Sequence, residues 1–319
     1  MNDALPPSVG PSTSPSGVPH CYRHPGRETY IRCQRCERHV CPECMRDAAV
    51  GFQCPECVAR GAKETRSGRA LLGGRRSENP QATSLGLAGV NLVIWVAVLV
   101  TGGATSWLAD RLMLSPLGRC VVGDGSQWYP NVDGAGLCAT LPGASWQSGL
   151  ADGAWWQVLT HGFVHVDLWH LALNAVGLMI LGPPVEQAMG RLRFLALYLL
   201  ATLTAGATIF VFAPPYSATL GASGGVFGLM GALLVLSVRF RGDVRGLVTL
   251  LVLNAVITFA VPGISWQGHL GGFVGGALAA AVLVYAPRGE RRSLWQWLGF
   301  ALIAVVVLAV FVARALALR

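Results

Sequence analysis

Residues 192–213 read LRFLALYLLATLTAGATIFVFA, in which twenty residues after Arg193 pass without a charged side chain. A helix of that length covers about 30 Å, the thickness of the hydrocarbon core of a bilayer. Comparable runs stand at 85–108, 168–189, 223–240, 247–261, 268–285 and 294–312, of which 247–261 is short. Unpaired backbone groups are too costly in lipid, so these spans must be helices. Composition agrees: of 319 residues, 53% are hydrophobic and only 13% charged, about half the charged share of a soluble domain. The expected fold is an all-α polytopic membrane protein.

The net charge of +8 raises nucleic acid as a partner, and its placement excludes it. Twelve basic and eight acidic residues fall on each side of Ser84, +4 in both halves. In the second half the arginines sit between apolar runs instead of forming a stripe, as membrane orientation requires. Arg191, Arg193, Arg239, Arg241, Arg245, Arg288, Arg291 and Arg292 occupy alternate connections. The connections 214–220 and 262–267 carry none, and the long first loop on that side has only Arg111 and Arg119. The amino terminus is therefore expected in the cytosol of a cell whose plasma membrane holds the chain, with only the tail bearing Arg314 and Arg319 against the rule.

Residues 1–19 are rich in Pro, Ser and Gly and are expected to be disordered, without a cleavable signal. Residues 60–84 are polar and basic and read as a linker. Between them, within 20–59, lie seven of the nine cysteines: Cys21, and the pairs Cys33/Cys36, Cys41/Cys44 and Cys54/Cys57. Two thiolates separated by two residues grip one ion, and tetrahedral zinc takes two such pairs. With His24 completing Cys21, four pairs predict two structural Zn2+ ions, His20 and His39 being competing ligands. A segment this small cannot bury an adequate core, so metal binding supplies its folding energy. A disulfide cluster is the alternative, disfavoured by a reducing cytosol. Cys120 and Cys138 lie in the first outer loop, as a possible disulfide or as two unpaired thiols.

Polar groups inside the membrane are costly and mark function. His161 and His165 precede the second span, and His170 and Asn174 stand four apart on one face of it. The fourth span opens with Gly221-Ala222-Ser223-Gly224-Gly225. That string matches the GxSxG elbow of soluble hydrolases, yet the strand an elbow needs is missing, and alone the serine reads as a helix cap. The sixth span supplies Gly268-His269, followed by Gly271-Gly272 and Gly275-Gly276. Small residues at that spacing let helices approach closely, which a serine and a histidine on separate helices need. The orientation set by the arginines brings Ser223, His269 and His170 to one depth near the outer face.

In ordered combination these motifs resemble the rhomboid intramembrane serine proteases over roughly residues 85–285. The resemblance implies a six-helix core at 85–286 and an additional seventh transmembrane helix at 287–319. It implies Ser223 as nucleophile and His269 as general base, a dyad without a carboxylate. The oxyanion donors it implies are the Ser223 backbone N–H and the side chains of His170 and Asn174. Transmembrane segments of other proteins are the implied substrates, entering sideways between the second and fifth spans. Two positions depart from the family pattern: Trp156 stands where arginine is common, and Phe227 where tyrosine is common. The cysteine-rich segment resembles a B-box-type finger, which implies one ion held by Cys21, His24, Cys41 and Cys44 and another by Cys33, Cys36, Cys54 and Cys57. Such a finger implies a protein partner. Two other readings are a non-catalytic rhomboid-like protein that binds transmembrane clients, and a transporter, against which the lack of an internal repeat counts.

Overall fold

The computed structural model describes residues 17–64 and 68–318 apart from 124, 126, 131 and 133. Of the segment expected to be disordered, residues 1–16 lie outside the described residues. The chain divides into two compact units, Met1–Gly68 and Arg69–Arg319.

In the first unit a two-stranded ladder, β1 (Arg46–Asp47) against β2 (Phe52–Gln53), precedes the helix α1 (Pro55–Glu64). Its buried centre is six cysteines and Val40, none more than 2% exposed. Among the described residues no larger apolar side chain is fully buried there. Apolar burial on this scale is small for a domain that folds without a disulfide or a metal.

The second unit is a helical bundle. In chain order it comprises α2 (Pro80–Val100), α3 (Trp107–Leu112), β3 (Arg119–Val122), β4 (Gln127–Tyr129), α4 (Ala135–Cys138), β5 (Ala144–Gln147) and α5 (Gln157–Thr160). Then follow α6 (Leu168–Met189), α7 (Arg191–Phe212), α8 (Ser223–Phe240), α9 (Arg245–Ala260), α10 (Trp266–Tyr285) and α11 (Arg292–Ala317). Among the described residues six helices are long and apolar enough to cross a membrane: α2, α6, α7, α8, α10 and α11. The chain is thus a multi-pass integral membrane protein. The helix α9 is apolar but only 16 residues long, which makes it the shorter seventh member.

Half or more of the most apolar stretch of α7, α8 and α10 is buried, against 17% for α2 and 22% for α11. Those three helices form the centre, around Phe194, Leu197, Tyr198, Leu229, Ala279 and Leu283. Outward-facing residues of the peripheral helices, such as Val93, Leu173, Ile180 and Val305, stay exposed as lipid-facing surface requires. The close approach of α8 to α10 depends on glycine. A Cβ at Gly272 would collide with the Gly224 carbonyl, and one at Gly276 with that of Gly228.

Two stretches differ from the sequence expectation. The first span was expected at 85–108, whereas α2 starts at Pro80, capped by Asn79 Oδ1 accepting the Ala82 N–H at 3.2 Å. It stops at Val100, before Gly102 with a φ of 127°. The long loop between α2 and α6 was not expected to hold strands, yet it contains a three-stranded antiparallel sheet in the order β4-β3-β5. Cys120 on β3 and Cys138 on α4 are joined by a disulfide. Ahead of α2, within the segment read as linker, Leu72 is buried in the bundle core. Its amide donates to the Ala188 carbonyl, and its carbonyl accepts from Gln296 Nε2 on α11.

Candidate active site and metal centres

The segment entering α8 is held from below by two imidazole-bearing residues. The Gly221 N–H donates to the His161 carbonyl at 2.9 Å, and the Ala222 N–H donates to His165 Nε2 at 3.2 Å. His165 is fully buried, and burial, reinforced by nearby His170, lowers its pKa to about 4. It is therefore neutral near pH 7, as an imidazole that accepts through Nε2 must be. Gly221 has a φ of 122°, and a Cβ there would collide with the His170 ring. Glycine at this position satisfies both demands.

His170 and Asn174 stand one turn apart near the start of α6. The His165 and His170 rings meet edge to face with centroids 5.0 Å apart. Asn174 Nδ2 donates to the His170 carbonyl at 2.9 Å and to His165 Nε2 at 3.3 Å. Both amide hydrogens are thus engaged, the second through a long bond that shares its acceptor with Ala222.

Ser223 is the first residue of α8, where backbone N–H groups have no intrahelical partner. Phe227 lies one turn on, along the same face. Its ring stacks on His269 of α10 with centroids 4.0 Å apart and an interplanar angle of 12°. The aromatic packing survives the loss of the tyrosine hydroxyl common in the family. Among the described residues no hydrogen bond joins Ser223 to His269; the stack holds the imidazole against the Ser223/Phe227 face.

A residue that sequence reading did not single out is Thr258 on α9. Its Oγ1 donates its hydrogen to the Asn254 carbonyl at 2.7 Å. The 2.8 Å contact between Oγ1 and His269 Nδ1 must then be donated by the histidine. Nδ1 carries the proton and Nε2 keeps its lone pair. Trp156, which stands where arginine is common, is held by a neighbouring arginine of the loop. Arg111 lies 5.0 Å over the Trp156 ring, and Trp156 Nε1 donates to the Arg111 carbonyl at 2.7 Å.

In the first unit, one potential ligand atom from each of Cys21, His24, Cys41 and Cys44 lies within 4.8 Å of the others. Cys33, Cys36, Cys54 and Cys57 form a second such group. His24 completes the first: its Nδ1 is 3.2 Å from Cys41 Sγ and 3.5 Å from Cys44 Sγ. Of the competing histidines, His39 accepts from Arg32 Nε at 3.3 Å, and His20 belongs to neither group. Three thiolates with an imidazole, and four thiolates, are donor sets that fit metal ions such as zinc.

A family model described as the Rhomboid domain matches residues 152–286. Over 146 residues the chain is 40% identical to the rhomboid protease GluP of Bacillus subtilis (strain 168), covering 44% of this chain and 28% of GluP. With YdcA of the same bacterium, whose name also places it among rhomboid proteases, identity is 31% over 150 residues, covering 45% of this chain and 74% of YdcA. Human Rhomboid-related protein 3 is 31% identical over 178 residues, 49% of this chain and 44% of its own length. The matched residues 152–286 run from α5 to α10 and include the Ser223, His269 and His170 positions, and the protein belongs to the rhomboid family.

Proposed function

We propose that the protein is an intramembrane serine endopeptidase that cleaves transmembrane segments of other membrane proteins. The observation that carries this reading is the setting of His269. Its ring is stacked on Phe227, one turn from Ser223, and its Nδ1–H is fixed on Thr258. A base with Nε2 unprotonated, beside a serine at a helix start, is the equipment of nucleophilic catalysis. Family membership supports the same chemistry, since the family includes proteases by name.

In this mechanism Ser223 Oγ attacks the scissile carbonyl carbon as His269 Nε2 takes its proton. Negative charge on the substrate oxygen meets the Ser223 N–H and the side chains of His170 and Asn174. The long bond from Asn174 to His165 is the one that would be exchanged for the oxyanion, leaving His165 with the Ala222 N–H. One such donor contributes about 3 kcal/mol in a water-poor site. Collapse breaks the C–N bond, and the leaving amine receives the proton from His269. Water then hydrolyses the acyl-enzyme with His269 again as base.

In the first unit, zinc would be held by Cys21, His24, Cys41 and Cys44 and by Cys33, Cys36, Cys54 and Cys57, supplying folding energy and no catalysis. The resulting module suits a protein partner. The membrane orientation proposed from the arginines puts the finger in the cytosol and Ser223 toward the outside.

The test is labelling of the full chain by a serine-directed fluorophosphonate, together with cleavage of a transmembrane substrate. Wild type should react, and Ser223→Ala and His269→Ala should lose both signals. Labelling that survives Ser223→Ala would sink the assignment. A wild type that binds transmembrane clients without cleaving or labelling would favour the non-catalytic reading.

A further inference from the structure

At the end of the bundle opposite Ser223, a cavity of about 440 Å³ opens between the start of α7, the start of α11 and the chain ahead of α2. Its lining includes Arg75, Arg76, Arg191 and Arg193 against one carboxylate, Glu78, with Trp297 at the side. The inner arginines are anchored. Arg193 is buried, with Nε donating to Gln296 Oε1 at 3.0 Å and Nη2 to Ser293 Oγ at 3.1 Å. Arg191 is held by long contacts, 3.4 Å to the buried Glu186 and 3.3 Å to the Asn79 carbonyl. Arg75 and Arg76 are exposed and make no ion pair among the described residues. Even counting Glu186 against Arg191, two of the four positive charges remain without a carboxylate. The unpaired first-turn amides of α7 add positive potential at the same place.

We infer that this cavity binds the phosphate of an anionic glycerophospholipid headgroup. Planar guanidinium forks match phosphate oxygens, and fixed inner arginines with free outer ones leave donors available on two sides. The surroundings select a lipid over a soluble phosphate ester. Leu192 and Trp297 beside the arginines are 71% and 40% exposed, at the ends of helices that cross the membrane. Acyl chains would run along that apolar surface while the indole sits at headgroup depth. Because the chain ahead of α2 supplies two of the four arginines, a lipid here would also tie that segment to the bundle.

The full-length chain in neutral detergent is titrated with phosphatidylglycerol and with phosphatidylcholine of identical chains, counting bound lipid by native mass spectrometry. Phosphatidylglycerol should bind at least about tenfold more tightly. An Arg75→Ala/Arg76→Ala double variant should lose that preference, whereas Arg239→Ala/Arg241→Ala, which removes charge elsewhere on the same side, should keep it. Equal retention of both lipids, or an undiminished preference in the first variant, overturns the proposal. Glycerol 1-phosphate is the third arm: displacement of phosphatidylglycerol by it at equal concentration would replace the lipid with a soluble phosphate ester. Unchanged thermal stability of the double variant in phosphatidylcholine separates loss of the site from loss of the fold.

Discussion

Thr258 has one hydroxyl hydrogen and spends it on its own helix, which leaves its oxygen as an acceptor for His269 Nδ1. Replacing it with valine keeps the volume and removes the acceptor, so both imidazole tautomers become available and only one is competent. In Thr258→Val we expect kcat for transmembrane-substrate cleavage to fall about tenfold, ~1.4 kcal/mol, with little change in KM. Thr258→Ser should recover most of the loss, whereas a packing defect would not be rescued by the smaller serine. The buried imidazoles below α8 set a pH limit. His161 and His165 are each held near a pKa of about 4, chiefly by burial. An unfolded histidine titrates near 6.5, so between those values the unfolded chain binds more protons. Stability should be full above about pH 6.5 and fall progressively toward pH 4. Thermal unfolding in detergent at pH 7 and pH 5 measures this, and His165→Gln should flatten the dependence. His170, Asn174 and His269 could be picked from the sequence because imidazoles and amides are conspicuous in apolar runs, and Ser223 only in combination with them. Thr258 could not, since a threonine in such a helix ordinarily bonds its own backbone and carries no signal.

At the level of elements, the site exists because α8 and α10 approach to backbone contact. Gly272 faces Gly224, the residue after Ser223, with no room for a methyl group. Gly272→Ala should force α10 outward, carrying His269 off the Ser223/Phe227 face, at a cost of about 1–3 kcal/mol. We expect a lower midpoint of thermal unfolding and loss of fluorophosphonate labelling together. A variant that labels at the wild-type rate would mean that the serine's reactivity does not depend on this contact. Spacing of glycines in the sequence announced this packing, because small residues four apart have few other uses in lipid. The start of α2 and the sheet between α2 and α6 were not announced. The first depends on a cap just ahead of the apolar run, which hydropathy ignores. The second, like the Arg111–Trp156 contact, depends on pairings between distant residues in a polar loop. Neither leaves a periodic trace in one chain.

Across the whole molecule, cysteine chemistry bears on the same topology as the arginines. The seven cysteines of the first unit are free, whereas Cys120 and Cys138 are disulfide-bonded. Thiolate metal sites persist where thiols stay reduced, and disulfides persist where they do not. The first group precedes α2 in the chain and the second follows it, so one crossing by α2 separates the two chemistries. The orientation proposed above agrees with this chemistry, since it assigns the first unit to the reducing cytosol. Because cysteine thiolates supply almost all of that unit's buried centre, removing metal should unfold it. A strong chelator should release two zinc ions per chain and open the seven thiols to a membrane-impermeant maleimide. Labelling should occur in inside-out vesicles and not in intact cells, while thermal unfolding of the helical bundle stays unchanged. Thiols that label from outside the cell would reverse the orientation and, with it, the side from which water reaches Ser223.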